Sequence, residues 1–187
     1  TNGYMTPEML ELFRGARNGH EPWLHAANVD LKAFRDETYR KVCGARLQPV
    51  LDSLKKMKEL GIWVEVTTLV VPGMNDSEGE LCQIAQFIGE DLGPETPWHV
   101  SRFHPDYKMR DRGPTPTTTL REAYELGRAA GLHYVYVGNL PGARLEDTYC
   151  PACGERVIGR WGFQVTDYHI QDGACFNCGA AIDGVGM

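Results

Sequence analysis

The sequence predicts an α/β protein: a parallel sheet covered by helices, followed by a small metal-binding module. For the larger part, β-rich runs alternate with amphipathic segments at helical spacing, and glycines or prolines mark the changeovers. Near residue 149 the composition changes, because cysteines and glycines concentrate and helical periodicity disappears. Strands alternating with helices imply right-handed βαβ units, so we expect either a partial (β/α) barrel or an open parallel sheet.

The first helix and the first strand are predicted from residue types near the amino terminus. The run Thr6-Pro7-Glu8 supplies an N-cap, a proline at the first helical position and an acidic residue in the first turn. A short apolar segment from about Ala27 to Lys32 predicts a strand, and a helical turn is expected over residues 36–43.

The later predicted elements also alternate between helix and strand. Leucines, valine and methionine at helical spacing predict a helix capped by Gly61, and Ser77 with Glu80 has the spacing of a capping box. The predicted elements are helix 46–60, strand 62–71, helix 77–92, strand 98–103, helix 119–130 and strand 133–138.

Two domains are expected, residues 1–148 and 149–187, with their boundary in the stretch 139–148. The chain opens TNGY without a methionine, and TNG resembles the end of an element that begins upstream. We therefore interpret the chain as a fragment or a processed product, although a cloning boundary would look the same.

Composition excludes several classes of function. The formal net charge of −6 and the absence of a Lys/Arg run argue against nucleic acid as a partner. No apolar run has the length of a membrane span, and no secretory signal is visible, so a cytoplasmic protein without a membrane partner is expected. In a reducing compartment six cysteines favour metal binding over disulfides.

Four of the cysteines form two C-x-x-C knuckles, CPACG and CFNCG. Two such knuckles folded face to face supply four thiolates to one tetrahedral ion, so the sequence predicts a zinc-ribbon or rubredoxin-like module. Zinc is the expected metal, although the same geometry holds a single iron. The predicted ligands are Cys150, Cys153, Cys175 and Cys178.

Polar residues stand where the predicted strands end, which is where parallel sheets keep their chemistry. Asp30 and Lys32 are two positions apart and so share one side of their strand. Thr67 and His104 stand near the ends of the next two strands. A salt bridge at the rim of the sheet is an equally good interpretation of the first pair. The other histidines are interpreted as structural or surface residues: His20, His25, His99, His133 and His169.

An ordered series of motifs carries a resemblance to a family. TNG, NVDLK, TTLVVPGMND, RFHPDYKM, YVYVGN, CPACG and CFNCG, in that order, resemble the carboxyl-terminal half of radical S-adenosylmethionine enzymes. The nearest group is related to pyruvate formate-lyase activating enzyme and occurs in the AmmeMemoRadiSam system. The resemblance covers nearly the whole chain.

The resemblance implies the carboxyl-terminal half of a partial (β/α)6 barrel of the TIM type, with S-adenosylmethionine lying across the carboxyl ends of the strands. It places Asn2 near the methionyl end, Lys32 at the ligand's carboxylate and Asp30 at its amine or a ribose hydroxyl. It places His104 near the nucleoside and Thr67 in the lumen. A zwitterionic ligand needs both a cation and an anion, which fits the Asp30 and Lys32 pair.

The family's C-x-x-x-C-x-x-C loop, which binds a 4Fe-4S cluster, does not occur in this sequence, nor does the expected glycine-rich motif. Both are expected upstream of Thr1. The full-length protein is therefore expected to be a radical oxidoreductase that cleaves S-adenosylmethionine to a 5′-deoxyadenosyl radical, which abstracts hydrogen from an unknown protein or small molecule. Activation of a glycyl radical protein is one form of this chemistry. The fragment alone is expected to be inactive, and no catalytic residue is assigned.

Two other functions are open from the residues alone. Lys32 could be the amine nucleophile of a Schiff-base (β/α) barrel lyase, with His104 as acid or base. The four-cysteine ribbon could instead be the functional part, docking a protein or nucleic acid.

Overall fold

The larger part of the chain is a four-stranded parallel sheet. The computed structural model describes residues 1–15, 21–140, 142, 144–162 and 164–186. Within them the strands lie side by side in chain order, each hydrogen-bonded to the next: β1 Ala26–Asp30, β2 Trp63–Val70, β3 Trp98–Arg102 and β4 Val135–Gly138. This strand order agrees with both predicted architectures, a segment of a barrel and an open parallel sheet.

The helices follow their strands as the periodicity predicts. They are α1 Pro7–Arg14, α2 Asp36–Thr38, α3 Gln48–Glu59, α4 Glu78–Phe87 and α5 Thr117–Ala129. Single π-helical turns, Tyr39–Cys43 and Ile88–Leu92, extend α2 and α4. None of the helices in the described part of the chain is long and apolar enough to cross a bilayer.

The helices cover one face of the sheet, and the strand alternation explains why. On β2 the valines at 64, 66 and 70 form a buried apolar set and Thr68 is buried as well, whereas the residues that alternate with these four are half-exposed. The buried set packs with Leu54 of α3, Ile84 of α4 and Leu120 of α5 in one hydrophobic core. The opposite face of the sheet carries polar and aromatic side chains, so the fold separates a dry face from a half-exposed one.

Most predicted elements are found, with differences at their ends. The first strand ends at Asp30, so Lys32 lies just beyond it and not within it as predicted. Thr6 caps α1 through its side-chain oxygen, and Gly61 follows α3 in the left-handed conformation. Residues 16–20, which include His20, lie outside the described residues.

The carboxyl-terminal part is a small antiparallel structure. Strands β5 Thr148–Tyr149, β6 Arg156–Trp161 and β7 Gln164–Tyr168 form one sheet, and β8 Ile170–Gln171 pairs with β9 Ala174–Cys175. Strands β6 and β7 lie between the two knuckles in the sequence. The second sheet begins at Thr148, close to the predicted boundary, but the division into two domains remains a prediction.

The four-cysteine module packs against the sheet. The hydroxyl of Tyr134 accepts a hydrogen bond from the backbone N–H of Asp183 and donates one to the carboxylate of Asp183, both at 3.1 Å. The guanidinium of Arg160 lies over the ring of Tyr136 at 5.5 Å from its centre. These contacts place the module beside the half-exposed face of the sheet.

Candidate functional site

Asp30 and Lys32 form an ion pair at the carboxyl end of β1. The Lys32 Nζ atom lies 2.9 Å from Asp30 Oδ2, and the side chains are 40% and 34% exposed. The two side chains therefore lie on one side of the strand, as predicted, and they also form a salt bridge at the rim of the sheet, which was the alternative interpretation. Because the pair is accessible, a ligand with its own charged groups could exchange partners with it.

The backbone at Lys32 is fixed by residues of the following loops. The buried side chain of Asn75 donates to the carbonyls of Lys32 and Leu69 at 2.7 and 2.9 Å and accepts from the Val71 N–H at 2.6 Å. The Tyr39 hydroxyl accepts from the Lys32 N–H at 3.0 Å. Burial raises the pKa of Tyr39 to about 12, so it stays protonated. Asn75, from the motif VVPGMND, thus joins the carboxyl ends of β1 and β2.

Glu80 holds the loop that follows Lys32, which differs from the prediction. Ser77 does cap α4 by accepting from the Glu80 N–H, but the Glu80 side chain does not return to Ser77. It is 2% exposed and accepts from the Phe34 N–H and from Arg35 Nε, both at 2.8 Å. The capping box is therefore half-formed, because the carboxylate is used in a buried ion pair with the neighbouring loop.

The other predicted ligand contacts lie along the same edge of the sheet. Thr67 is the partner of Asp30 in the strand register and donates to the side chain of Asn28 at 2.9 Å. His104 lies two residues after β3 and is exposed. Asn2 is exposed, and its side chain accepts from the Tyr4 N–H. Thr67 thus lies within β2, level with the end of β1, whereas His104 lies just after β3 and Asn2 next to β1. Their roles as ligand contacts remain predictions.

The TNG segment lies against β1. Thr1 donates to the Asn28 carbonyl and accepts from the Asp30 N–H, as a residue of a neighbouring parallel strand does. Gly3 has φ +71° and approaches Val29 so closely that an added Cβ would lie 2.7 Å from its methyl group. Only glycine fits both conditions, which explains the third residue of the motif.

Sequence reasoning did not predict one hydrogen-bonded pair on the half-exposed face of the sheet, Glu65 with His99. Glu65 Oε2 lies 2.9 Å from His99 Nε2, and the hydrogen bond from His99 holds the pKa of the Glu65 carboxyl below its usual range despite partial burial. Sequence reasoning treated His99 as structural or surface. Alternation along β2 could have placed Glu65 on the face of Thr67, but its partner depends on the register between strands.

The four predicted metal ligands come together. Their sulfur atoms all lie within 4.8 Å of one another, with Cys150 and Cys178 3.6 Å apart and Cys153 and Cys175 3.8 Å apart. Four thiolates about 2.3 Å from a tetrahedral zinc ion would be roughly 3.8 Å apart. The donor set therefore fits a closed tetrahedral metal site.

The two knuckles are built alike. In each, the glycine after the second cysteine donates its N–H to the carbonyl of the first cysteine at 2.9 Å, and both glycines have positive φ. A backbone hydrogen bond from Glu155 lowers the pKa of the Cys153 thiol to about 6, which favours the thiolate that a metal requires. The glycines in question are Gly154 and Gly179.

Comparison with known families bears on the first part of the chain. Residues 1–85 match the family model described as the Radical SAM superfamily. The resemblance drawn from the motifs is thereby confirmed, and the matched range contains Asp30, Lys32 and Thr67. An uncharacterized protein of Methanocaldococcus jannaschii is 45% identical over 185 residues, which is 98% of this chain and 53% of that protein. The chain therefore spans about half the length of the curated relative it matches.

Two solved structures share the fold. A domain of pyruvate-formate lyase-activating enzyme from Bacteroides vulgatus has a TM-score of 0.53 at 14% identity, over 62% of this chain and 68% of that chain. A radical SAM methyltransferase from Sphaerobacter thermophilus has a TM-score of 0.53 at 16% identity, over 71% of this chain and 37% of that chain. At these identities the likeness concerns the fold alone.

Proposed function

We propose that this chain is the carboxyl-terminal part of a radical SAM enzyme whose full-length form acts on a substrate by hydrogen abstraction. The observation that carries the proposal is the accessible Asp30–Lys32 ion pair at the strand ends, inside the range that matches the superfamily. S-adenosylmethionine with a 4Fe-4S cluster would supply the 5′-deoxyadenosyl radical. The cluster's cysteine ligands are proposed to lie upstream of Thr1, and the fragment alone is proposed to be inactive.

The ion pair suits a ligand that carries both charges close together. Lys32 would bind the carboxylate of S-adenosylmethionine and Asp30 its amine or a ribose hydroxyl, so that the ligand replaces one internal ion pair with two. Asn75 keeps Lys32 at the end of β1, since it bonds the backbone carbonyl of that residue. Asn2, Thr67 and His104 would complete the contacts from neighbouring segments.

The four-cysteine module is proposed to bind zinc as a structural metal. Its ligands form a closed set of four thiolates, which leaves no coordination position for a reactant. A single iron would fit the same donors, and metal analysis of the purified protein distinguishes the two. A reducing, cytoplasmic location is part of the proposal, because thiolate ligands of a metal must stay reduced.

The substrate is proposed to be a protein or a small molecule. Glycyl radical activation is the narrower version of the proposal, supported by the motif resemblance to activating enzymes. The Schiff-base alternative is not favoured, because residues 1–85 match the Radical SAM superfamily. The comparisons also give no support to the ribbon as an independent binding module.

The test is release of 5′-deoxyadenosine by the cluster-loaded, full-length protein under reducing conditions. Removing a charged hydrogen-bond partner costs about 1.5–3 kcal/mol, so Lys32→Ala and Asp30→Ala should each lower the release roughly 10- to 100-fold at subsaturating S-adenosylmethionine. Lys55→Ala is the matched control, since the Lys55–Asp91 pair has similar exposure, 43% and 39%, on the helical side. Unchanged release in both site variants would contradict the proposal.

A further inference from the structure

The half-exposed face of the sheet carries a polar pair that the proposed binding of S-adenosylmethionine does not use. Glu65 lies on β2 and His99 on β3, both at positions that alternate with buried residues. Their side chains are 36% and 31% exposed. In the strand register His99 lies opposite Thr67, which itself lies opposite Asp30, and Glu65 lies two residues before Thr67. Neither Asp30 nor Lys32 lines the cavity in which Glu65 and His99 lie.

The contacts of this pair fix the orientation of the imidazole. Glu65 accepts from Trp63 Nε1 at 3.4 Å through one oxygen and meets His99 Nε2 at 2.9 Å through the other. The ring of Tyr136 packs against the His99 ring, with the centres 5.0 Å apart. The other ring nitrogen, Nδ1 of His99, has no hydrogen-bond partner among the described residues, and the imidazole remains partly open to solvent.

The pair lies in the wall of a cavity of about 890 Å³ between the sheet and the four-cysteine module. Aromatic side chains from both parts line it, which is typical of sites that bind small organic molecules. Its carboxylates outnumber its one guanidinium, that of Arg160, so the cavity favours neutral or cationic molecules over anions. The carboxylates are Glu65, Glu146 and Asp183.

The hydrogen bond decides which nitrogen of the imidazole is basic. The pKa of Glu65 is held below its usual range by the bond from His99, so the carboxylate is ionised and can only accept. The proton of a neutral His99 therefore lies on Nε2, and the lone pair lies on Nδ1. An imidazole oriented by a carboxylate in this way is a general base whose conjugate acid is stabilised by that carboxylate.

We infer that His99 accepts a proton through Nδ1 from a small neutral or cationic molecule bound in this cavity, with Glu65 as the positioning residue. The O–H or N–H bond of the bound molecule breaks, its electron pair stays on oxygen or nitrogen, and an N–H bond forms at Nδ1. The resulting imidazolium faces the Glu65 carboxylate. Only one part of this inference rests on the proposed function, namely that the bound molecule is a substrate of the enzyme.

The experiment uses full-length protein and 4-nitrophenol as a neutral hydroxyl probe whose absorbance reports its deprotonation. At a pH where the free probe is mostly protonated, the wild type should increase the phenolate absorbance. His99→Gln can still donate to Glu65 but has no base, so it should lose that increase, whereas Glu65→Gln should reduce it several-fold. Ser101→Ala, on the same face of β3, is the matched control and should behave as the wild type. Equal absorbance for wild type and His99→Gln would overturn the inference.

A second measurement tests directly whether Nδ1 of His99 is unprotonated and accessible. Diethyl pyrocarbonate acylates neutral imidazole nitrogens that it can reach, and peptide mapping reports the rate at each histidine. His99 should react in the wild type and at least several-fold more slowly in Glu65→Lys, because an ammonium at this position can only donate to Nε2 and so moves the ring proton to Nδ1. The rate at His25 should not change, and equal rates at His99 in both proteins would overturn the assignment. Thermal melting verifies that the variants are folded.

Release of 5′-deoxyadenosine separates this inference from the proposed function. Lys32→Ala should lower the release and leave the phenolate absorbance at the wild-type value, since neither Asp30 nor Lys32 lines the cavity that holds His99. A wild type that releases none would contradict the proposed function alone, while the probe measurements would still decide the role of His99. Loss of the phenolate absorbance in Lys32→Ala as well would overturn the assignment of His99 to a separate cavity.

Discussion

The parallel sheet and the four-cysteine module reach stability by different means. The sheet's core joins buried aliphatic side chains from four strands and their covering helices. Among the described residues, the module's buried core consists of Cys150, Val157, Ile158, Ile170, Cys175 and Ile182, so two of its six members are predicted metal ligands. We expect a structure with so little apolar burial to depend on a bound metal for folding, whereas the sheet should not.

The largest expected effect comes from removing the metal. Structural zinc contributes on the order of 10–16 kcal/mol of apparent binding free energy in small modules, so a chelator or Cys175→Ser should unfold the module. Hydrogen exchange should show lost amide protection over residues 149–186 and retained protection over β1–β4. Cys82→Ser, outside the four-cysteine group, is the control. Joint loss of protection in both parts would show that the module and the sheet are one cooperative unit.

A smaller effect, confined to the other part, is expected from the core of the sheet. Leu54 on α3 is fully buried, and Leu54→Ala should cost about 2–5 kcal/mol of unfolding free energy through the cavity it leaves. The thiolate-to-metal absorbance of a cobalt-substituted module should stay unchanged in the folded variant. Leu12→Ala, at a leucine that is 43% exposed, should cost much less. Equal denaturation midpoints for the two variants would contradict this account of the sheet's core.

The smallest of the three effects tests how the sheet positions its charged edge. Asn75→Ala leaves the Val71 N–H and two carbonyls without their partner and should cost about 1–3 kcal/mol. Asn75→Asp keeps the acceptor but turns a carboxylate towards the two carbonyls, so it should cost at least as much. Urea denaturation measures both. A negligible cost for either variant would show that solvent replaces these bonds.

Sequence reasoning predicted the elements whose signals are local. The helix starts at Thr6 and Ser77 and the glycine after α3 were found because caps depend on a few adjacent residues. The knuckles were found because their spacing alone fixes the ligand geometry. The common side of Asp30 and Lys32 followed from strand alternation and holds even though Lys32 lies beyond the strand.

Side-chain partners across elements could not be predicted in the same way. Glu80 had the local spacing of a capping box, yet its carboxylate bonds a loop 45 residues away, because a buried ion pair with Arg35 is available there. Glu65 and His99 are not direct neighbours in the register, since His99 is opposite Thr67. Their contact is diagonal, and a shift of one residue would have turned either side chain to the other face.

The stretch that leads from β4 to the module also protects the sheet. The carbonyl of Leu145 accepts from the Val137 N–H at 2.9 Å, and the Leu145 side chain packs on the sheet's core. A truncation at the end of β4 would therefore expose both a strand edge and an apolar patch, and such surfaces promote aggregation. Shortened versions of this protein made for crystallisation or isotope labelling should end after Leu145.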